Sequence, residues 1–122
     1  MKSVNVGLCG LGTVGGGTFS VLKDNQVEIS ARAGFPVNIT HIGMRNVKEG
    51  YDYTGITVSQ DLLEVTRDPN VDVVVELIGG YDLAKEIVMS AIENGKHVVT
   101  ANKALIAVHG NEIFAAASKK GV

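Results

Sequence analysis

The feature that most constrains this chain is a glycine-rich turn that joins an apolar strand to a helix with no polar loop between them. The three glycines of the turn are Gly10, Gly12 and Gly15. In a strand-turn-helix unit, the first glycine makes the sharp turn, the second lets the backbone approach a pyrophosphate, and the third allows close packing of the helix. The helix starts near Thr13 and Val14, where free N–H groups would point at the phosphates. This context predicts a dinucleotide site, whereas the spacing alone is also compatible with a merely flexible turn.

Strands and helices alternate along the whole chain. Strands are predicted over residues 4–9, 37–44, 71–78 and 97–100, with a short extended piece at 56–58. Helices are predicted from 13 to about 33, over 60–67, from about 83 to 93, from 102 to about 108 and over 111–120. Such alternation through short loops predicts parallel pairing with right-handed crossovers. We therefore expect one domain over residues 1–122, with a Rossmann-type doubly wound α/β fold, a mostly parallel sheet and helices on both faces.

Several local expectations follow from the same patterns. The first helix is predicted to be continuous to Gly34 and to bury one stripe of residues, Val14, Val21, Leu22 and Ile29. Gly16 and Gly17 are assigned to close packing of this helix, and residues 46–55 to a surface loop. The last helix is predicted to turn three residues inward, Ile113, Phe114 and Ala117. Gly121–Val122 is interpreted as the entrance to a further strand.

The end of the second strand bears on the choice of cofactor. An acidic residue there would bind the ribose 2′-hydroxyl of NAD, whereas a cation would suit the 2′-phosphate of NADP. This strand end has no carboxylate, but it has two cations, Arg45 and Lys48. Their charges can pair with a phosphate, which favours NADP(H) over NAD(H), although both residues are equally typical of a solvated loop.

Ligands of doubly wound sheets lie across the carboxyl ends of the strands, so residues 76–80 and 100–103 are candidates for the nicotinamide side. Gly79 and Gly80 fit either close backbone approach to a ligand or an ordinary strand-ending turn. Glu76 fits either a wet strand end or a structural role with backbone hydrogen bonds. Lys103 opposes the dipole of the helix it begins, which indicates an anionic or polarised oxygen nearby, although a lysine at a helix start is commonly solvated.

Composition excludes several other functions. Eleven Lys and Arg against 13 Asp and Glu give a net charge of −2, with no basic run, so we expect no nucleic-acid partner. Cys9 is the single cysteine and lies in an apolar run, which indicates core packing, a reducing compartment and no metal cluster. No apolar stretch is long enough to span a membrane. We therefore expect a soluble cytoplasmic protein that holds no metal.

Three stretches make the sequence resemble the homoserine dehydrogenases. They are Gly7–Gly15 (GLCGLGTVG), Val75–Gly80 (VELIGG) and Val98–Ala107 (VVTANKALIA). The resemblance covers essentially the whole chain, and its most specific part is the Thr-Ala-Asn-Lys-Ala stretch. It implies NAD(P)H-dependent interconversion of L-aspartate 4-semialdehyde and L-homoserine, in the pathway to threonine and methionine.

The resemblance also assigns roles to individual residues. Lys103 matches a lysine that serves substrate binding and proton transfer. Thr100 and Asn102 match positions that line the nicotinamide ribose, and Gly79 with Gly80 match the backbone beneath it. Histidines 97 and 109 match nothing catalytic, and we interpret both as structural.

Relative to that family, the substrate-binding and dimer-forming part is missing from this sequence. We therefore expect a truncated chain that binds cofactor but does not turn over substrate, because substrate positioning supplies much of the rate. The full-length enzyme is expected to be a homo-oligomer. Two alternatives stay open: a free-standing NAD(P)H sensor, or a related dehydrogenase that acts on another aldehyde or amino acid. A reading frame that continues past Val122 for about 200 residues or more would favour the truncated enzyme over the sensor.

Overall fold

The computed structural model describes residues 3–122, without the side chains of residues 13–15. Its sheet has five parallel strands in the order β3-β2-β1-β4-β5. The strands are β1 (Val4–Cys9), β2 (Val37–Gly43), β3 (Thr57–Ser59), β4 (Val73–Glu76) and β5 (His97–Thr100). The helices are α1 (Thr13–Asp24), α2 (Gln26–Ala33), α3 (Leu63–Arg67), α4 (Asp82–Glu93) and α5 (Lys103–Lys120). The chain order reverses between β1 and β4, which confirms the doubly wound α/β prediction.

Apolar side chains cover both faces of the sheet. On one face, Leu8 and Ile42 pack with Phe19 of α1. On the other face, Val65 of α3 and Ile87 of α4 belong to a second buried cluster, and α5 extends this layer. Val99 is 54% exposed, because no described helix covers β5 on the α1 side. The core therefore confirms helices on both faces, with one side of the β5 edge left open.

Two strand glycines let α3 approach the sheet closely. A Cβ atom at Gly43 would lie 3.0 Å from the Leu62 Cα and 3.0 Å from a Val65 methyl. At Gly7 a Cβ would overlap the other methyl of Val65. The short helix therefore packs almost directly on the backbones of β1 and β2, where a larger residue would push it outward.

The first helix is interrupted, so the prediction of one long helix over 13–33 is wrong. Asn25 separates α1 from α2 with φ −114° and ψ 19°. Its side-chain amide and its backbone N–H both donate to the Val21 carbonyl, at 3.0 and 3.1 Å. Asparagine side chains that bond nearby backbone in this way favour helix ends and turns over helix interiors. Val21 of α1 is 57% exposed, which contradicts its predicted burial.

The predicted break near residue 109 is absent, because α5 runs unbroken over 18 residues. Gly110 is buried within the helix instead of ending it. Ile113 is buried and Ala117 packs against the same cluster, as predicted, whereas Phe114 is 60% exposed and its predicted inward position is wrong. A Cβ at Gly110 would lie 3.4 Å from Ile106 and 3.6 Å from Phe114 of the same helix, so the helix continues through this glycine despite its usual tendency to weaken helices.

Gly121–Val122 forms the C-terminal cap of α5, and the strand that they are predicted to enter stays a prediction. Gly121 has φ 74°, and its N–H donates to the Ser118 carbonyl at 3.2 Å. Val122 donates to the Ala117 carbonyl at 3.0 Å and packs against the α4–α5 core. This pair of bonds with an apolar contact is the Schellman arrangement for a helix C-terminus.

Two other predictions need adjustment. Strand β4 is four residues long, shorter than the predicted 71–78, and α3 begins at Leu63 instead of Gln60. Residues 46–55 contain no helix or strand, as predicted, yet the loop that they form is not entirely at the surface. The rings of Tyr51 and Tyr53 pack against Phe19, at centroid distances of 5.4 and 6.1 Å. This loop therefore contributes to the core over α1.

A buried polar network joins β2, β3 and α3 on the far side of the sheet from Phe19. The Nδ1 of His41 lies 2.8 Å from Asp68 Oδ2, and its Nε2 lies 2.7 Å from the Ser59 hydroxyl, which donates to Glu64. Asp68 also accepts a bond from Asn70 N–H. Burial acts to raise the pKa of Asp68, but these hydrogen bonds and the charges of His41 and Lys96 outweigh it, so the pKa is lowered.

This network predicts an acid-dependent stability. Because the folded pKa of Asp68 lies below its unfolded value, its carboxylate stabilises the fold above about pH 4, and the stabilisation is lost as the pH falls further. Asp68→Asn is expected to lower the free energy of unfolding at pH 7 by about 1 to 3 kcal/mol, with a smaller difference from wild type near pH 3. Urea unfolding at both pH values measures this.

Asp61 provides the matched control, because its ion pair with Arg67 is 53% exposed on the carboxylate side. Asp61→Asn is expected to change stability by less than about 1 kcal/mol. Equal losses for Asp68→Asn at pH 7 and pH 3 would show that the lowered pKa of Asp68 does not contribute.

Candidate nucleotide-binding groove

The glycine turn begins where β1 ends, at the carboxyl edge of the sheet. Gly10 has φ 101°, a conformation that favours glycine, and its N–H donates to the Gly43 carbonyl at 2.8 Å. A Cβ here would lie 2.8 Å from the Ile78 methyl and 3.4 Å from the Leu77 backbone. Both the backbone angle and the contact with the end of β4 therefore require glycine at position 10.

Gly12 precedes α1 and leaves its start open. It has φ −77°, and no side chain caps the helix N-terminus. A Cβ at Gly12 would meet nothing within 4 Å, and the first turn of α1 contains no acidic residue. The space in front of the helix is thus free for an anionic group, which the N–H groups and the helix dipole favour. Thr13 and Val14 lie in the first turn of α1, where their backbone N–H groups were expected to face the phosphates, whereas their side chains and the packing of Gly15 lie outside what the structure describes.

The two glycines that extend the turn differ in their surroundings. Gly16 is buried and its Cβ position is taken by the Tyr51 hydroxyl, so the predicted close-packing role is confirmed. Gly17 is exposed and has nothing within 4 Å of its Cβ position, so the same prediction is wrong there.

A cavity of about 340 Å³ lies between the turn and the end of β2. Gly10, Gly12, Arg45 and Lys48 contribute to its lining, and Met44, Ile78, Gly79 and Leu83 are among the other residues around it. No carboxylate lines it among the described residues. Sequence patterns did not single out Met44, Ile78 or Leu83, because apolar residues next to strand ends do not differ in pattern from ordinary core residues.

The two predicted cations of this cavity are exposed and unpaired. The Arg45 guanidinium and the Lys48 ammonium have no ion-pair partner within residues 3–122. Their backbones are held instead, since the Arg45 carbonyl accepts from Gln60 at 3.1 Å and the Lys48 carbonyl accepts from the Tyr53 hydroxyl at 2.6 Å. The loop thus presents two free positive charges on a fixed backbone.

A closed hydrogen-bonded ring joins the ends of β4 and β5. Glu76 is fully buried, accepting from Ile78 N–H at 2.8 Å and from the Thr100 hydroxyl at 2.6 Å. The Thr100 oxygen accepts from Asn102 N–H at 3.0 Å, and the Asn102 amide donates to the Gly80 carbonyl at 2.6 Å. Of the two interpretations of Glu76, the structure shows the buried one, with a backbone donor and a side-chain donor.

Lys103 begins α5 beside this ring. The Asn102 side chain caps the helix by accepting from Leu105 N–H at 3.0 Å. Lys103 is exposed, and its ammonium has no hydrogen bond or ion pair in the described part of the chain. It lines a cavity of about 380 Å³ together with Gly79 and Asn102. This cation is therefore available to a ligand oxygen.

Cys9 lies next to Glu76 across the β1–β4 pairing and takes no part in the groove. Burial, with a further contribution from the Glu76 charge, raises the pKa of the Cys9 thiol to about 12. The thiol is therefore protonated and unreactive at neutral pH, which supports core packing.

His97 is exposed at the start of β5, away from the groove. No group of three or more potential metal ligands exists among the described residues.

The fold and the groove together define a class of protein. A doubly wound sheet with a glycine turn at its switch point, an uncapped helix start and an open groove along the carboxyl edge is a dinucleotide-binding domain. A family model described as the NAD-binding domain of homoserine dehydrogenase matches residues 10–122. The chain belongs to this family of homoserine dehydrogenase NAD-binding domains.

Individual relatives agree with this assignment. The homoserine dehydrogenase of Pseudomonas aeruginosa is 60% identical over 122 residues, which are 100% of this chain and 28% of that protein. The enzyme of Bacillus subtilis is 40% identical over 99% of this chain and 28% of its own length. A crystal structure of a homoserine dehydrogenase from Thiobacillus denitrificans has a TM-score of 0.90 and 53% identity, covering 100% of this chain and 28% of that one. The chain thus spans about 28% of the length of these relatives.

Within residues 3–122, no helix is both long and apolar enough to cross a bilayer.

Proposed function

We propose that this chain binds NADP(H) in preference to NAD(H), as the cofactor domain of an enzyme that interconverts L-aspartate 4-semialdehyde and L-homoserine. The observation that carries the proposal is that two cavities are adjacent. The cavity at the glycine turn and the cavity at Lys103 share Ile78 and Gly79, so they lie side by side along the carboxyl edge, and we treat them together as one groove. Arg45 lies at one end of this groove and Lys103 at the other. An extended ligand with phosphate in its middle fits this order of groups.

The preference for NADP(H) over NAD(H) would depend on the residues at the Arg45 end of the groove. A 2′-phosphate brings negative charge to the cavity beside Arg45 and Lys48, where no carboxylate lines the wall among the described residues. Charge-assisted hydrogen bonds from a guanidinium to phosphate are among the stronger polar contacts in proteins. NADH offers only a hydroxyl at this place and gains less from the two cations.

The Lys103 end would hold the reacting groups. When bound, the dinucleotide supplies or accepts the hydride in this reaction. Thr100 and Asn102 would bind the nicotinamide ribose, with the Gly79–Gly80 backbone beneath the ring. The Lys103 ammonium would hydrogen-bond the substrate carbonyl oxygen and deliver or take up its proton.

The wider proposal concerns the longer enzyme. Its relatives are more than three times as long as this chain, so the residues that bind the substrate would lie on the additional part. We propose that the 122-residue chain alone binds cofactor without turnover, because the residues that would hold the rest of the substrate against Lys103 and the nicotinamide lie on the additional part. We further propose that the longer protein is a cytoplasmic homo-oligomer that serves threonine and methionine synthesis. The buried free thiol of Cys9 agrees with a reducing compartment.

Titration of the chain with both cofactors tests the cofactor assignment. Wild type is expected to bind NADPH more tightly than NADH by isothermal calorimetry. Arg45→Ala is expected to raise the Kd for NADPH by about 10- to 100-fold, since a hydrogen bond to a charged group is worth about 1.5 to 3 kcal/mol. The Kd for NADH should change by less than about threefold, because the 2′-phosphate is absent there.

Arg32 gives a matched control on the exposed surface of α2. Its guanidinium pairs with Glu28 and is 81% exposed, outside the groove. Arg32→Ala should leave both dissociation constants unchanged. A wild-type chain that prefers NADH would remove the role assigned to Arg45 and Lys48, and one that binds neither cofactor would refute the proposed function.

A further inference from the structure

The buried ring around Glu76 connects the two segments that would hold the nicotinamide half of the cofactor. One segment is the loop after β4, which contains Ile78 and Gly80, and the other is the turn from β5 into α5. Glu76 and Thr100 are opposite each other in the β4–β5 register, at the last position of each strand. The backbone pairing of β4 with β5 ends at these two residues, and the hydrogen bonds of the ring connect the two segments that follow.

Glu76 has no cationic partner among the described residues, and it lies fully buried. A buried carboxylate without a counter-ion is costly, and it persists only if well-placed donors compensate for lost hydration. Here the donors are one backbone N–H and one hydroxyl, each belonging to a different segment. The carboxylate therefore bridges the two segments, and each of its oxygens is bound to one of them.

The ring also fixes the start of α5. Thr100 accepts from Asn102 N–H, and Asn102 uses its own side chain both to cap α5 and to donate to the Gly80 carbonyl. Every bond of this path is 2.6 to 3.0 Å long. Lys103, the next residue, is thus placed relative to the β4 loop by two routes. One is the direct bond from Asn102 to Gly80, and the other is the series of three bonds from Asn102 through Thr100 and Glu76 to Ile78.

We propose that Glu76 is a positioning residue for the nicotinamide half of the bound cofactor. It acts through Thr100 and Asn102, holding the β4 loop and the α5 N-terminus at a fixed separation. This inference rests on the proposed function, because it assumes that the Lys103 end of the groove receives the nicotinamide. The glycine turn and Arg45, which would hold the adenosine half, belong to no part of the ring.

Binding measurements with two ligands distinguish a positioning role of Glu76 from a general role in fold stability. NADPH would occupy the whole groove, whereas adenosine 2′,5′-bisphosphate carries only the adenosine half with its 2′-phosphate. Glu76→Gln keeps the size of the side chain but replaces one acceptor oxygen with a donor amide. It is expected to raise the Kd for NADPH about tenfold and to leave that for the bisphosphate within about twofold of wild type.

Thr100→Val removes a second hydrogen-bonding group of the ring with a nearly isosteric side chain, on the less buried edge strand. It is expected to raise the Kd for NADPH by a similar factor and to leave the Kd for the bisphosphate unchanged. Thr100→Ser should recover most of the lost NADPH affinity. Because Glu76 acts through Thr100, the double variant should be little weaker than either single variant. Additive effects on NADPH binding would overturn the proposed path.

The outcomes distinguish the inference from the proposal on which it rests. A wild-type chain that binds the bisphosphate but gains nothing from the rest of NADPH would refute the nicotinamide assignment itself. If wild type prefers NADPH but Glu76→Gln and Thr100→Val bind both ligands as wild type does, only the positioning role is wrong. Parallel loss of both ligands, with a lower melting temperature, would assign Glu76 to fold stability and likewise overturn the role.

Discussion

Lys103→Ala is expected to lower kcat for homoserine oxidation about 10²- to 10⁴-fold, the range typical of losing a positioned proton donor or acceptor. The measurement uses a chimera in which this chain replaces the matching 28% of the Pseudomonas aeruginosa enzyme, to which it is 60% identical. A large effect is expected because, among the described residues, Lys103 is the only cation that lines the cavity at its end of the groove, so no neighbouring cation there would replace it.

Cofactor binding should change much less than turnover. The adenosine half and the phosphates would be held by Arg45 and the glycine turn, so the Kd for NADPH should rise by less than about tenfold. Lys103→Arg keeps the positive charge but has a much higher pKa, so it should restore cofactor affinity without restoring proton transfer. This difference between binding and kcat is what a role in chemistry requires.

The far end of the same helix provides the control. Lys119 is exposed in the last turn of α5, about 24 Å from Lys103 at the helical rise per residue. Lys119→Ala should leave kcat and the Kd for NADPH unchanged. A Lys103→Ala chimera with undiminished kcat would remove Lys103 from the reaction, and an inactive wild-type chimera would count against the activity proposed for the family member.

The sequence was sufficient for features that depend on a few adjacent residues. Gly10 and Gly12 were assigned correctly to the turn, because the backbone angle and the open helix start are local requirements. The alternation of strands and helices predicted the doubly wound sheet, since handedness and short connections leave few other arrangements. The same logic placed Arg45 and Lys103 at the carboxyl edge, where the structure has them.

Features that depend on competition or on register were not predictable. The break at Asn25 is the departure of one residue from helical backbone angles, which the apolar periodicity of the helix does not report. The sequence predicts a turn at Gly110, whereas this residue lies buried inside α5. The role of Glu76 stayed open because its partner, Thr100, depends on the β4–β5 register, which only the folded sheet defines.

Substitutions in the glycine turn are expected to have large effects of two kinds, because two of its glycines are required for different reasons. Gly12→Ala is expected to lower NADPH affinity about 10²-fold or more and to leave the free energy of unfolding nearly unchanged. Its φ of −77° is accessible to alanine and its Cβ would meet nothing within 4 Å, so the change should cost at most about 1 kcal/mol, from the lower preference for alanine at a helix N-cap. The added methyl would instead occupy the space where the pyrophosphate must approach the backbone. Calorimetric titration and urea unfolding of the same samples measure the two effects.

Gly10 and Gly17 provide the contrast from within the same glycine run. Gly10→Ala is expected to cost about 2 to 5 kcal/mol of stability, from the left-handed backbone and from the contact at 2.8 Å with Ile78. Gly17→Ala should instead stabilise the chain by up to about 1 kcal/mol, since Gly17 lies exposed in α1 and alanine is the better helix former. Its effect on NADPH affinity should be small. If Gly12→Ala bound NADPH as tightly as Gly17→Ala does, the space in front of α1 would not be the pyrophosphate site, and the groove would have to bind its ligand elsewhere along the sheet edge.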